Sequence, residues 1–533
     1  MTIDWDQIIA QNMCRITPEG TLVHPGLHEA WGMSVGIAVA LIAVWGIFAA
    51  APARTAPSAR WSLSAAPFVG PLFDQLARSP LLLAVFKFIS VILFLTVIWS
   101  GLAGTPLPAR NLATMLTWNL WWSGVIVSVF FMGSAWCAIC PWDGLANWLV
   151  RRRLWKRADP ETSLGLKVPK AFRNVWPAAF AFVVLTWLEL GIGITSAPYA
   201  TAVLALTMLV LASLSMAIFE RKAFCLFACP VGRTIGFYAQ LAPVELRPKD
   251  PPTCATCKTL ECYHGSKDVD PCPTHQVMGR MTQNTFCTSC GNCARSCPHE
   301  NVGWRLRPPS HEVINTARPH WDEAWFMVIL LALTGFHGLT MMEFFEDWIR
   351  GLARMIGDSG QLLMSFSIAM IVAIALPVAL YASTIWLTRF ISARRAAPSF
   401  HKLFTSFAFV ALPLAFAYHI AHNLSHLLRE GIGAGEVFAN PLGYGTQLLS
   451  LLARHARMNE MVLAPTTLAT LQALLLALGF LVAVLVIRTR SKKLFGDQSG
   501  LKARLPQLPV LAFAIGITSW HLWLLMQPMI MRS

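Results

Sequence analysis

Hydrophobic and polar positions divide the chain into long apolar runs separated by charged connectors. Runs of about 20 apolar residues, the length that crosses ~30 Å of hydrocarbon, begin near Trp31, Pro80, Asn111, Val175 and Tyr199. Five more begin near Trp321, Met364, Leu403, Leu463 and Leu508. The pattern predicts an all-α membrane protein of about ten transmembrane helices. Residues 220–320, between the two groups of five, are too polar for a bilayer interior and form an inserted segment. Four regions follow: an N-terminal segment 1–30, a five-helix membrane domain 31–219, the polar segment 220–320, and a second five-helix membrane domain 321–533.

Composition agrees with this division. Of 533 residues, 55% are hydrophobic and only 13% charged, which excludes an ordinary soluble domain. A formal net charge of +15 would fit nucleic acid if the cations were gathered on one folded face. They sort by membrane side instead. Segments 51–79, 141–173, 220–320, 389–402 and 488–505 together hold 33 Lys or Arg, the alternating segments hold 8, and Lys87 lies within the second helix. Positive-inside asymmetry then predicts a multi-pass protein of a bacterial inner membrane with both termini periplasmic. The lipid bilayer is the expected partner, and no nucleic acid is. The run Arg151, Arg152, Arg153, Lys156 and Arg157 reads as part of this asymmetry, with anionic lipid or an acidic partner as the alternative. The opening MTIDWDQIIAQNMCRITPEG has no basic stretch leading into an apolar one, so no cleavable signal peptide is expected.

Cysteines introduce the chemistry. Twelve of the thirteen fall in short spacings that suit metal ligation, and Cys14 stands alone. Residues 287–298 read CTSCGNCARSCP, the CxxCxxCxxxCP run of bacterial ferredoxins. In that run three close thiolates wrap one [4Fe-4S] cube while the fourth, before proline, reaches a second. A looser set, Cys254, Cys257, Cys262 and Cys272 followed by Pro273, stands upstream. The crossover rule assigns Cys254, Cys257, Cys262 and Cys297 to one cluster and Cys287, Cys290, Cys293 and Cys272 to the other. Tetrahedral zinc is the competing ligand for CxxC pairs. The insertion 261–270, with His264 and Lys267, reads as a solvated excursion or a docking loop.

Two further pairs stand where helices meet the same expected face: CAICP with Cys137 and Cys140, and CLFACP with Cys225 and Cys229. Together they could hold an additional Fe–S centre or serve as structural or redox thiols. Membrane helices bearing such pairs ahead of a dicluster segment resemble the NosR/NapH/FixG group of bacterial polyferredoxins, over roughly residues 111–310. The motifs that carry the resemblance are CLFACPVGR and CTSCGNCARSCP. It implies membrane electron transfer serving a respiratory or metal-handling system. The first pair departs from the group in being CxxCP rather than CxxxCP, and nothing resembles the flavin-binding domain of NosR. Five helices after the ferredoxin segment resemble a FesM-like branch.

The second half contributes histidines. At 1.5 Å of rise per residue, His337 and His419 lie about 24 Å, and His521 about 20 Å, from the cytoplasmic ends of their helices. His419, His422 and His426 share one helix face, with Asn423 beside them. Imidazoles at one depth on facing helices predict a b-type haem between His337 and His419, with His521 as substitute; His337, His419, His422 and His521 could alternatively hold copper, or serve as helix-bridging bonds or a proton path. His24 and His28 read as interfacial residues that could join such a site. Glu189, inside the fourth helix, could accept a quinol proton or pair with a neighbouring helix.

These residues predict a membrane iron–sulfur electron-transfer protein. It would pass electrons between a quinol or periplasmic redox centre and cytoplasmic clusters, as a subunit of a quinol-linked oxidoreductase or beside other redox proteins. The alternative is a maturation factor that reduces a metal such as copper for another enzyme. A redox sensor ranks last, because no output segment is visible. No Rossmann or Walker motif is present, so NAD and ATP sites are not predicted.

Overall fold

The computed structural model describes residues 13–18, 20–49, 61–152, 162–392, 398–496 and 504–530. Arg153, Lys156 and Arg157 of the basic run, most of the segment on which the absence of a signal peptide was argued, and parts of the connectors 51–79, 389–402 and 488–505 lie outside the described residues.

Ten helices account for the apolar runs: α1 Glu29–Phe48, α2 Pro80–Ala103, α3 Leu112–Met132, α4 Trp176–Leu190, α5 Pro198–Ile218, α6 Trp321–Leu339, α7 Leu363–Ser392, α8 Phe400–Ala439, α9 Pro465–Phe495 and α10 Leu508–Met526. Among the described residues nine of these runs are long and apolar enough to cross a membrane. The exception is α4, whose 15 residues span roughly 22 Å at 1.5 Å each. It stops because Gly191 closes it and Gly193 turns left-handed, at φ 77°.

Local chemistry sets the helix starts. Ser79 accepts from Leu82 N and Pro80 occupies the first position of α2, where its missing N–H leaves no bond unmade. Asn111 caps α3 through Ala113 N, and His28 caps α1 by accepting from Ala30 N through Nδ1. Within α3, Met115–Trp122 widens into π-helical turns, which carry Trp121 and Trp122 toward the bundle interior.

At the centre stands α8, whose apolar stretch is enclosed on every side by α3, α6, α9 and α10. By contrast α2 and α7 leave wide apolar faces uncovered, including Phe88 and Trp99 on one and Leu376 and Phe390 on the other. Such faces belong against lipid tails. With no hydrophobic drive between helices in lipid, close backbone approach supplies the packing. Gly479 on α9 is one such contact, since a Cβ there would collide with Ala417 Cβ and approach the Pro413 carbonyl of α8.

Two small sheets mark the ends of the bundle. At one end β1 Arg15–Ile16, β2 Leu22–His24 and β6 Met529–Ile530 pair in the order β1-β2-β6, so the first and last described segments meet. At the other, β3 Trp61–Ser62, β5 Val302–Leu306 and β4 Val244–Pro248 pair antiparallel. The ladder from Val244↔Leu306 to Pro248↔Val302 brackets the cysteine-rich stretch. Basic connectors gather at this same end: Arg78 pairs with Glu300 at 2.9 Å, and Arg490 donates to the carbonyls of Val313 and Ala317.

Gly479→Ala is expected to cost about 1–3 kcal/mol through overpacking at the α8–α9 contact. Gly435→Ala, where a Cβ would meet nothing within 4 Å, should leave stability unchanged. Thermal unfolding of the two purified variants checks the difference.

Candidate redox centre at the polar end of the bundle

Short helices and tight turns deliver the cysteines of the polar segment. Cys254 rides on the helix Pro251–Thr256, whose start Asp250 caps by accepting from Thr253 N. Cys262 rides on Glu261–His264, and Cys297 ends Asn292–Ser296. Four non-glycine residues adopt the left-handed region two or three positions after a cysteine: Leu260, His275, Ser289 and Glu300, at φ 51°, 57°, 51° and 49°. Strained turns of this kind persist only where the surroundings enforce them, commonly at functional sites. Here each one bends the chain back around a thiol.

The thiols fall into two groups of four. Cys254, Cys257, Cys262 and Cys297 lie near enough that negative charge on one disfavours it on the others, and all four line one cavity of about 260 Å³. Cys293 is related in the same way to Cys290, Cys287 and Cys272. In each group the fourth cysteine therefore comes from the other sequence run. Cys262 is also near Cys293, so the groups adjoin. Donors aim at several sulfurs: Asn301 Nδ2 at Cys254 Sγ (3.4 Å), Gln276 N at Cys272 Sγ (3.3 Å) and Ser289 N at Cys287 Sγ (3.4 Å). Burial, offset by the Ser289 bond and by Arg247, pushes the Cys287 thiol up to about 11. Bonds to sulfur stabilise thiolate ligands and tune a cluster's potential.

A third group forms beneath the polar segment. Gly133, at φ 56°, ends α3, and the short helix Ala135–Ile139 carries Cys137 toward Cys140. A residue before proline is driven out of helical geometry, so Cys140 and Cys229 each become the N-cap of a proline-initiated helix, Pro141–Arg151 and Pro230–Tyr238. Burial pushes both thiols up, opposed by the helix N-termini and, at Cys229, by Gly232 N donating to Sγ at 3.3 Å. Cys137 and Cys140 sense Cys229 electrostatically, and Cys225 senses Cys229 and Cys137. All four stand together.

Buried charges surround this group, and reading the sequence did not assign them. Asp143 takes Lys222 Nζ at 2.6 Å and Lys87 Nζ at 3.1 Å. Burial opposes its charge, yet the two ammonium groups hold its carboxyl well below the usual range. Lys222 also lies near Cys225 and Cys290, bridging the lower group and the polar segment. Arg233, almost wholly buried, senses Cys137, Cys229 and Cys225 and donates to Thr285 O at 2.9 Å. The only sequence signal was that KAFCLFACPVGR sets a cation on each side of the pair.

Among the described residues, no three His, Cys, Asp or Glu side chains converge on one position for a single ion. A cube spreads its four thiolates over four irons, so groups of four neighbouring thiols suit a cluster better than a lone ion.

Docking of the polar segment rests on a buried ion network. Glu245 of β4 binds Arg305 Nε (2.6 Å) and Arg307 Nη1 (2.9 Å), while Arg247 Nη2 meets Glu312 at 2.7 Å.

At the opposite end the histidines are partly regrouped. His337 pairs with His422, ring centres 5.4 Å apart, and His422 with His426 at 4.8 Å. His419 Nδ1 instead shares a hydrogen bond with Tyr238 Oη at 3.2 Å, and His521 stacks on Tyr418 at 4.3 Å. His24 bonds Ser425. Glu189 is buried, and Cys14 Sγ accepts from Arg429 Nη1.

No known protein family matches the chain, and no solved structure matches it. A 97-residue stretch is 30% identical to a protein of Escherichia coli (strain K12) named "Putative electron transport protein YccM". The match covers 18% of this chain and 24% of that protein.

Glu245→Gln should leave buried guanidinium groups uncompensated and cost roughly 3–5 kcal/mol, read as faster proteolysis within 250–300 while the bundle stays helical. Arg350→Gln removes an exposed ion pair with Glu346 and is expected to change stability by under about 1 kcal/mol.

Proposed function

We propose that the chain is a membrane-bound iron–sulfur electron-transfer protein of the polyferredoxin type. Cys254, Cys257, Cys262 and Cys297 would hold one [4Fe-4S] cluster, and Cys272, Cys287, Cys290 and Cys293 a second. The observation that carries this reading is the exchange of the fourth cysteine between the two groups, the arrangement that the dicluster ferredoxin spacing calls for. Cys137, Cys140, Cys225 and Cys229 would hold a further Fe–S centre between them and the bundle.

Bound clusters of this type take up and release one electron at a time. The chain's part is to hold them close, keep water out and set their potentials. Adjacent groups shorten the transfer between them, and Lys222, near both Cys225 and Cys290, offsets the negative charge that thiolate-ligated clusters carry. Arg233 does the same beneath the segment. The likeness over 97 residues to a protein named for electron transport favours the same role. The basic connectors gathered at the cysteine end suit a cytoplasmic placement in an inner membrane, with a quinol or periplasmic redox centre as the exchange partner.

Protein purified without oxygen should contain about eight irons for two clusters, or about twelve with the third, and show interacting [4Fe-4S] resonances on reduction. Cys297→Ser should remove the cluster anchored by Cys254, Cys257 and Cys262 and spare that of Cys287, Cys290 and Cys293, whereas Cys272→Ser should do the reverse. Cys140→Ser with Cys229→Ser should lower iron by about a third of twelve without loss of the interacting pair. Iron-free protein from anaerobic preparation would overturn the reading.

A further inference from the structure

Beyond the cysteines, the far end of the bundle holds imidazole nitrogens with nothing to bind. His422 on α8 is 3% exposed, and both of its ring nitrogens are buried without a hydrogen-bond partner. His426, one turn on, bonds Glu430 Oε1 through Nδ1 at 2.9 Å and leaves Nε2 buried and unpartnered. His24 on β2 uses Nε2 to bond Ser425 and leaves Nδ1 in the same condition. His337 of α6 lies against His422, and His24 interacts electrostatically with His426. A buried polar atom left without a hydrogen bond forfeits the solvation it had in water, so four such atoms in one place call for a common occupant.

We propose that His24, His337, His422 and His426 form a binding site for one transition-metal ion. Neutral imidazole is a ligand of cobalt, nickel, copper and zinc. A metal–nitrogen bond of about 2.0 Å puts a ring centre about 3.2 Å from the ion, so two rings on a tetrahedral ion stand about 5.2 Å apart. The observed separations of 5.4 and 4.8 Å bracket that value.

The anchoring bonds have the matching form. Metal-bound histidines commonly give their second nitrogen to a carboxylate or other fixed partner, as His426 does to Glu430 and His24 to Ser425. Arg429 is the unfavourable neighbour of His24, but its guanidinium is directed to Cys14 Sγ and the Met458 carbonyl. Because no three of these side chains yet point at one position, loading requires ring rotation about histidines already in place.

Size separates this reading from larger ligands. The cavity bounded by His24, His422, Ser425, Arg429 and Gln472 has a volume of about 20 Å³, close to that of a single water. A haem macrocycle or a quinone ring does not fit. His419, the expected partner of His337 in a b-type haem, bonds Tyr238 Oη at 3.2 Å.

The test uses the full chain in detergent, stripped with chelator and titrated anaerobically with Co²⁺ and Zn²⁺, with iron assayed separately. One equivalent of Co²⁺ should bind with visible d–d bands and no thiolate charge-transfer band, and Zn²⁺ should displace it. His422→Asn with His426→Asn should abolish uptake, His401→Asn should not, and Glu430→Gln should weaken it about tenfold. Zinc X-ray absorption on the unmodified protein, which needs no variant, should show an imidazole shell without sulfur. No uptake, equal uptake by the double variant, or a sulfur shell would each overturn the proposal. Because the site lies at the end of the bundle opposite the twelve motif cysteines, iron content reports on the cluster reading independently.

Discussion

A carboxylate buried between two ammonium groups holds the polar end of the bundle together. Asp143 lies on the helix after α3, Lys87 on α2 and Lys222 in the turn after α5, so one side chain ties three parts of the chain. An uncompensated charge there would cost several kcal/mol, which makes the three segments interdependent. Cys137, Cys140, Cys225 and Cys229 are brought together by the packing this network enforces. Lys222 extends from it toward Cys225 and Cys290.

The polar segment repeats the same logic one layer further out. Glu245, Arg247, Arg305, Arg307 and Glu312 are paired under the β4–β5 ladder, and Arg233 reaches up from the bundle to Thr285. Charges that would be expensive alone become a specific joint when each has a partner. The cysteine loops then fold around a rigid base, with left-handed residues supplying the bends that helices and strands do not. The proposed electron transfer would depend on such rigidity, since fixed spacing between centres sets its rate.

The opposite end differs in kind. The buried charges at the cysteine end are paired with one another, while both ring nitrogens of His422 and one each of His426 and His24 have no hydrogen-bond partner. A membrane interior offers little water to make up such a deficit, so the buried imidazole nitrogens there depend on a partner that protein contacts do not supply.

The apolar runs, the basic asymmetry and the CxxC spacings are all local patterns, and so the helices and the candidate thiols could be read directly from the chain. Helix length follows from the width of hydrocarbon to be crossed, and a Cys–Pro junction dictates its own backbone. Even so, α4 came out short, because two glycines outweigh the hydrophobicity of the residues after them. Everything that depends on which segments meet was decided by tertiary packing. Lys87 looked like a stray charge in a helix until Asp143 was seen beside it. His337 could be ranked by depth along its helix but not by azimuth, and packing sets it against His422. His24 lies far from both in the chain and joins them only because β2 pairs with β6 across the end of the bundle. Linear sequence records how far along a helix a side chain stands; only packing decides what it faces.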